Sequence, residues 1–271
     1  MQNSDIAKRG LVLLGCGKMG SAMLEGWLAG GLPASSVWVS DPHPSDWVRA
    51  QGVHINVALP DDPAIVLVAV KPQILRDALP TLAPLGNATT VFLSVAAGIT
   101  IETFETMLGD QTPVIRSIPN TPAAVKQGIT ALIGNEQVTE DQLSMAETLL
   151  SAIGQTVRLE TEDQMDAVTG LSGSGPAYVF HMIECLAKAG EAQGLAPDLA
   201  MTLAKATVAG SGALAMLADD TPSQLRVNVT SPNGTTQAGL DVLMDEDTGL
   251  PPLMIRTVDA ATQRSKALAN G

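Results

Sequence analysis

A chain of 271 residues, 45% hydrophobic, 16% charged and only 3% aromatic, has the length for one large domain or two ordinary ones. Its formal net charge of −13, with no basic patch to offset it, argues against nucleic acid or an anionic membrane as a partner. Two cysteines (Cys16, Cys185) are too few for a disulfide framework, and the opening MQNSDIAKRG has no apolar segment ahead of a cleavage site, so a reduced cytoplasmic protein is expected.

The first element is read from LVLLGCGKMG at residues 11–20. Four apolar residues make the short run of a strand covered on both faces. Gly15, Gly17 and Gly20 then give the G-x-G-x-x-G spacing: a tight turn, close backbone approach to a pyrophosphate, and helix-on-strand packing. A helix over 21–29 follows, whose free N–H groups suit an anion. The second strand, 37–40, ends at Asp41, 21 positions after Gly20, where a ribose-contacting carboxylate belongs. An Asp there favours free ribose hydroxyls and leans toward NADH. His43 and Arg49 nearby can offset that, so NADH against NADPH stays open.

Next come a short helix near 46–51, a strand at 65–70 ending in Lys71-Pro72, and a helix over 73–79 opened by Pro72. A strand at 89–95 runs into Ala96-Ala97-Gly98, and Thr100 is placed to cap a helix at 101–108. A strand at 114–116 leads to Pro119-Asn120-Thr121-Pro122. This alternation predicts a Rossmann-like, doubly wound parallel sheet, with ligands past the carboxyl ends of its strands. Strands at 128–133 and 155–159, around a helix at 140–153, are expected to extend it.

From about residue 162 the strand runs stop, and the pattern predicts an all-α C-terminal domain. The expected division is 1–161 for dinucleotide binding and 162–271 for substrate and oligomerisation. The first of its helices opens at Ser174-Gly175-Pro176, runs to Gly194 and is apolar on nearly all sides near its start, so burial all round is expected. A second, rich in Ala and Gly, follows Pro197; a third follows Gly234; a last one runs from Pro252 to near Ala269. Glu184, Lys188 and Lys205 interrupt the long apolar stretches, so none reads as a membrane span. With few charges to cover the surface, an apolar helix buried against another subunit is expected.

Three stretches hold more small, polar and turn-forming residues than packing explains, RSIPNTP at 116–122, LSGSGPAY at 171–178 and SPNGTT at 231–236, and AVKP at 69–72, AAG at 96–98 and PNTP at 119–122 are further motifs. Together with the glycine loop they resemble the Δ1-pyrroline-5-carboxylate reductase family, over essentially the whole chain. The resemblance implies that Leu14, Gly15, Cys16, Gly17, Lys18 and Met19 wrap a cofactor pyrophosphate, with Asp41 at the adenosine ribose. It implies Ala69, Val70, Lys71, Pro72, Ala96 and Ala97 along NAD(P)H, with Asn56 a further contact and Asn228 reaching the nicotinamide side. The substrate carboxylate would sit on backbone N–H groups of Gly234, Thr235 and Thr236, a helix start that is an anion site by its own chemistry. The Thr236 hydroxyl would bond the ring nitrogen as the catalytic group, with Asp219 and Ser174 as further substrate contacts. Family members usually have glycine where Asn233 stands, and Asp219 replaces a longer Glu; Asn tolerates positive φ better than most residues.

The implied reaction is hydride transfer to a cyclic imine, needing no metal and no covalent nucleophile. The implied partners are a small-molecule substrate and a second copy of the chain, as a homodimer or ring of dimers. Each motif also has a plain reading: 172–176 as a linker, 231–236 as a helix cap, Lys71-Pro72 as a strand end. His43 and His54 read as surface or packing residues and His181 as a satisfied interior histidine. A hydrolase elbow does not fit, since Gly170 is followed by L-S-G with no preceding strand. The competing functions are a related β-hydroxyacid dehydrogenase or imine reductase, which would carry a catalytic lysine in a second-domain helix, and a non-catalytic dinucleotide sensor, which would have lost SPNGTT.

Overall fold

The computed structural model describes residues 2–86 and 88–269. They form two compact units: one runs to Gly173 and takes in the segment from Thr262, and the other is Ser174–Ala261. The first holds α1 (Gln2–Arg9), β1 (Leu11–Leu14), α2 (Lys18–Ala29), β2 (Val37–Ser40), α3 (Asp46–Arg49), β3 (His54–Ile55), β4 (Ile65–Val68), α4 (Pro72–Ala78), β5 (Val91–Ser94), α5 (Ile101–Leu108), β6 (Val114–Ile118), β7 (Gly128–Gly134), α6 (Glu140–Leu150), β8 (Gly154–Arg158) and α7 (Gln164–Val168). The second holds α8 (Gly175–Ala192), α9 (Pro197–Leu217), α10 (Pro222–Asn228), α11 (Thr235–Leu243) and most of α12 (Leu250–Ala269).

The eight strands form one sheet in the order β3-β2-β1-β4-β5-β6-β7-β8. Its strands are apolar throughout because both faces are covered, and alternate side chains feed different cores. Leu11, Leu13, Ile65, Leu67 and Leu93 join the cluster that includes Met23 and Trp27 of α2, whereas Val12, Leu14, Val66, Val68 and Phe92 join that of Leu75 and Phe104. All neighbours pair parallel except β6 with β7, which run antiparallel. The extension was expected and this reversal was not. The connection between β6 and β7 is a single 3₁₀ turn, Thr121–Val125, too short for the crossover a parallel pair needs.

Helix starts follow local chemistry. Thr100 caps α5 by accepting from the Thr103 N–H, and Thr139 with Gln142 forms a capping box on α6. α1 was not anticipated from sequence: Ile6 enters the core at 1% exposure and Arg9 reaches the Asp62 carboxylate at 3.0 Å. α10 was also missed.

The compact units divide at Gly173/Ser174, against the expected 161/162, because residues 162–173 are tied into the sheet. Met165 is fully buried there, Asn120 Nδ2 donates to the Ser172 carbonyl at 3.2 Å, and Ser265 Oγ of α12 donates to Asp166 at 2.6 Å.

The second unit is built on the α8–α9 hairpin. α8 ends in a Schellman turn, with Leu195 N–H donating to Gly190 O, Gly194 N–H to Glu191 O, and Gly194 at φ +94°. The two helices approach closely through small residues: a Cβ on Gly190 would lie 3.3 Å from that of Ala200. Only Ala187, Ala200 and Ala204 of this unit are buried. The expected all-round burial of α8 is therefore absent: Val179, Phe180, Met182 and Leu186 are exposed, since the hairpin buries only its small-residue face. His181 is exposed too, not interior, and its ring contacts Glu184 one turn away. Contrary to the sequence reading, one helix among the described residues, Pro197–Leu217, is long and apolar enough to cross a membrane by length and composition alone.

Candidate active site

β1 pairs with β2 on one side and β4 on the other, so the strand order reverses there, and the carboxyl ends of β1 and β4 are where open sheets of this kind take their ligands. The glycine loop lies at this point. Gly15 takes φ +85°, and a Cβ on it would meet Val70 Cγ1 at 2.8 Å and Ala69 O at 3.0 Å. A Cβ on Gly20 would lie 2.6 Å from Gly15 O, so the third glycine lets α2 press onto the loop. Around Gly17 there is open space. Gly17 is also the N-cap of α2 and offers no side-chain bond to the helix amides. The helix begins at Lys18, three residues earlier than its periodicity suggests, with a cation in the first turn. That is the wrong charge for the helix dipole and the right one for a bound anion. The cradle thus fits a dinucleotide pyrophosphate.

Asp41, at the end of β2, has both carboxylate oxygens engaged. Oδ2 accepts the Cys16 N–H at 2.6 Å and Oδ1 the His43 N–H at 2.7 Å. Asn56, at φ +50°, pins the Asp41 backbone in turn: its Oδ1 accepts from Asp41 N–H at 3.0 Å and its Nδ2 donates to Asp41 O at 2.8 Å. The structure therefore joins Cys16, Asp41 and Asn56 in one network that holds the loop. Burial pushes the Cys16 thiol up; the Asp41 charge adds to this, against a hydrogen bond from Ser21.

At the end of β4, Ala69 N–H donates to Leu14 O at 2.8 Å, while Lys71 is exposed and caps α4 ahead of Pro72. Past β5, Ala96 is buried, Ala97 exposed and Gly98 at φ +74°. Two side chains near the end of β6 hold the neighbouring segments. Arg116, 4% exposed, donates to Glu162 Oε1 at 2.6 Å, and the same oxygen accepts the Ile101 N–H of α5 at 2.9 Å. Asn120 accepts the Ile129 N–H and donates to Ser172 O, inside a π-helical turn at Thr169–Gly173. Turns of this kind are frequent at functional sites. Sequence reading singled out the stretch 116–122 but gave Arg116 and Asn120 no role, and it missed Glu162. Only its opening Arg-Ser-Ile, a charge inside an apolar strand, was a signal.

In the second unit, Ser174 is the N-cap of α8 without a side-chain cap bond. Asn233 takes φ +60°, as its identity allows, and turns the chain into α11 with Gly234 as N-cap. Glycine supplies no capping oxygen, so the first-turn amides beside the exposed Thr235 and Thr236 have no side-chain cap, while the Gly234 N–H donates to Ser231 O at 3.0 Å. Asn228 is held by Asp220 Oδ2 at 3.0 Å and by Gln224 Nε2 at 2.7 Å, while Asp219 is exposed. Asp220, unremarked in the sequence, is the acid that orients Asn228. The cofactor candidates apart from Asn228 thus lie in the first unit, and Ser174, Asp219, Asn228 and the 234–236 turn in the second.

Residues 162–268 match the family model described as pyrroline-5-carboxylate reductase dimerisation, and residues 10–98 the one described as NADP oxidoreductase coenzyme F420-dependent. A pyrroline-5-carboxylate reductase of Pseudomonas aeruginosa is 37% identical over 265 residues, covering 96% of each chain. The structure of a pyrroline-5-carboxylate reductase from Coxiella burnetii superposes with TM-score 0.91 at 32% identity, over 96% of this chain and 98% of that one. A Plasmodium falciparum pyrroline carboxylate reductase with NADP bound gives TM-score 0.81 at 27% identity, over 97% and 99%. With a glycine cradle, an open α11 start and relatives matched end to end, this chain belongs to the pyrroline-5-carboxylate reductase family.

Proposed function

We propose that this chain reduces Δ1-pyrroline-5-carboxylate to L-proline with NAD(P)H. The observation that carries the reading is the start of α11, a turn without a side-chain cap beside two exposed threonines, in a chain whose other unit keeps a dinucleotide cradle. Leu14, Gly15, Cys16, Gly17, Lys18 and Met19 hold the pyrophosphate, Asp41 and Asn56 keep that loop in shape beside the ribose, and Ala69, Val70, Lys71, Pro72, Ala96 and Ala97 line the cofactor. Bound reduced nicotinamide supplies the hydride. The amides of Thr235 and Thr236 hold the substrate carboxylate at a turn that Gly234 shapes, its own N–H donating to Ser231 O at 3.0 Å, and the Thr236 hydroxyl bonds the ring nitrogen as it becomes an amine. Asp219 and Ser174 flank the ring, and Asn228, oriented by Asp220, borders the nicotinamide. Catalysis is positioning of an imine that is electrophilic once protonated.

Because both Asp41 oxygens bond backbone amides, we read Asp41 as a loop staple whose charge leaves the choice between NADH and NADPH open. The helical unit pairs with a second copy, as a homodimer or ring of dimers, in the cytoplasm. The deciding measurement is loss of nicotinamide absorbance with pyrroline-5-carboxylate, using NADH and NADPH in parallel. Turnover is expected, and tight cofactor binding without turnover would instead indicate a sensor. Thr236→Ala is expected to lower kcat about tenfold to a hundredfold with cofactor affinity unchanged; an unchanged kcat removes Thr236 from the mechanism.

A further inference from the structure

We propose that Arg116 and Glu162 are a positioning pair that fixes the 96–100 turn at the cofactor-facing edge of the sheet; this rests on the reading that Ala97 lies along the cofactor. The turn is pinned at both ends from β6. At its start, Ala96 N–H donates to Ser94 Oγ at 3.2 Å, and Ser117 Oγ donates to Ser94 O at 2.8 Å. At its end, Glu162 Oε1 takes the Ile101 N–H at 2.9 Å and Arg116 Nη1 at 2.6 Å. Between these anchors Ala97 is exposed and Gly98 sits at φ +74°. Without its anchors such a turn has several backbone states available.

The pair is not needed to start α5, because Thr100 already caps that helix. Nor is it an economical source of stability. Arg116 Nε is buried with no hydrogen-bond partner among the described residues, and a buried ion pair with an orphaned donor is weak support for a fold. What the pair does is geometric. It brings Glu162, the first residue of the segment that continues through α7 and the π turn to Ser174, to the amide that ends the cofactor-facing turn, 61 residues away. Arg116 moves no proton and touches no reacting atom. It orients Glu162, which orients Ile101 and the turn before it.

The test uses the full chain with Glu162→Gln, Arg116→Met and the double variant, assayed with pyrroline-5-carboxylate and NADPH. Glu162→Gln keeps an acceptor for Ile101 and nearly the same shape, so it serves as the folding-safe variant, checked by its melting temperature. Each single change is expected to lower kcat about tenfold. KM for NADPH should move less than about threefold, since the pyrophosphate cradle is untouched. The double variant should lose no more than the worse single, because both residues act through one contact. Arg116→Lys should recover part of the loss. The emission of bound NADPH should differ from wild type in both single variants. A folded Glu162→Gln with kcat within about twofold of wild type, or losses that simply add, overturns the proposal. If wild type binds NADPH but does not reduce the imine, it is the functional reading that falls. The emission comparison then decides the pair alone, and an unchanged signal in Glu162→Gln overturns it.

Discussion

In the first unit Phe92 and Leu13 have no exposed surface, whereas in the second Phe180 is 59%, Leu203 48% and Leu217 85% exposed. Both units are rich in apolar side chains, so composition is not the difference. The sheet has two faces and helices of its own chain to cover each. The α8–α9 hairpin brings together only alanine and glycine surfaces and leaves its large side chains outward. An apolar sequence states that burial will occur, not against what. The helical residues fall in the region matched to the family model described as pyrroline-5-carboxylate reductase dimerisation, and another copy is the covering proposed above.

That contrast has measurable consequences. Phe92→Ala should cost about 3–5 kcal/mol by leaving a cavity, a loss that is the same at every protein concentration; a loss under about 1 kcal/mol would mean the sheet core is not closed within one chain. Phe180→Asp and Leu203→Asp should leave the first unit folded but remove about 2 kcal/mol or more of association energy. Light scattering should then show a smaller species, and the midpoint should lose its concentration dependence. An unchanged mass would show that α8 and α9 are not the assembly face.

A smaller effect is expected at the glycine loop. Gly15→Ala forces a side chain into φ +85° against Val70 and Ala69, costing about 1–3 kcal/mol and weakening NADPH binding in calorimetry. Full retention of binding would remove the loop from the cofactor site. The smallest concerns the Cys16 thiol, which burial holds above its ordinary value of 9.0. A raised folded pKa favours the neutral form, so this contribution is fully present below the unfolded thiol value and is lost as pH rises through the folded one. Alkylation of Cys16 by iodoacetamide should begin at higher pH in the native protein than in urea, and equal onset would contradict the buried setting.

Much of the first unit was legible from local pattern. The strand at 11–14, the three glycines, the Thr100 cap and Pro72 at a helix start each depend on neighbours a few residues away. The unusual φ of Asn233 was legible too, because only a few residue types tolerate it. Contacts between distant segments were not. Asp41 reading Cys16 across 25 residues, Asn120 holding Ser172 across 52 and Glu162 meeting Ile101 across 61 leave no periodic trace. The same holds for His181, which shares an apolar helix with residues that stay exposed.

The sequence by itself determined most of the segments that become strands and helices, where the backbone turns sharply, and which chemical family the motifs spell, because those are set by side-chain period, glycine freedom and capping. Only the tertiary structure decided that β7 reverses, that both oxygens of Asp41 are taken by amides, that a buried arginine anchors a turn on another strand, and that the helical unit keeps its large side chains outward. These outcomes turn on which groups meet after the chain has closed on itself, and a linear pattern of apolar and polar residues carries no record of such meetings.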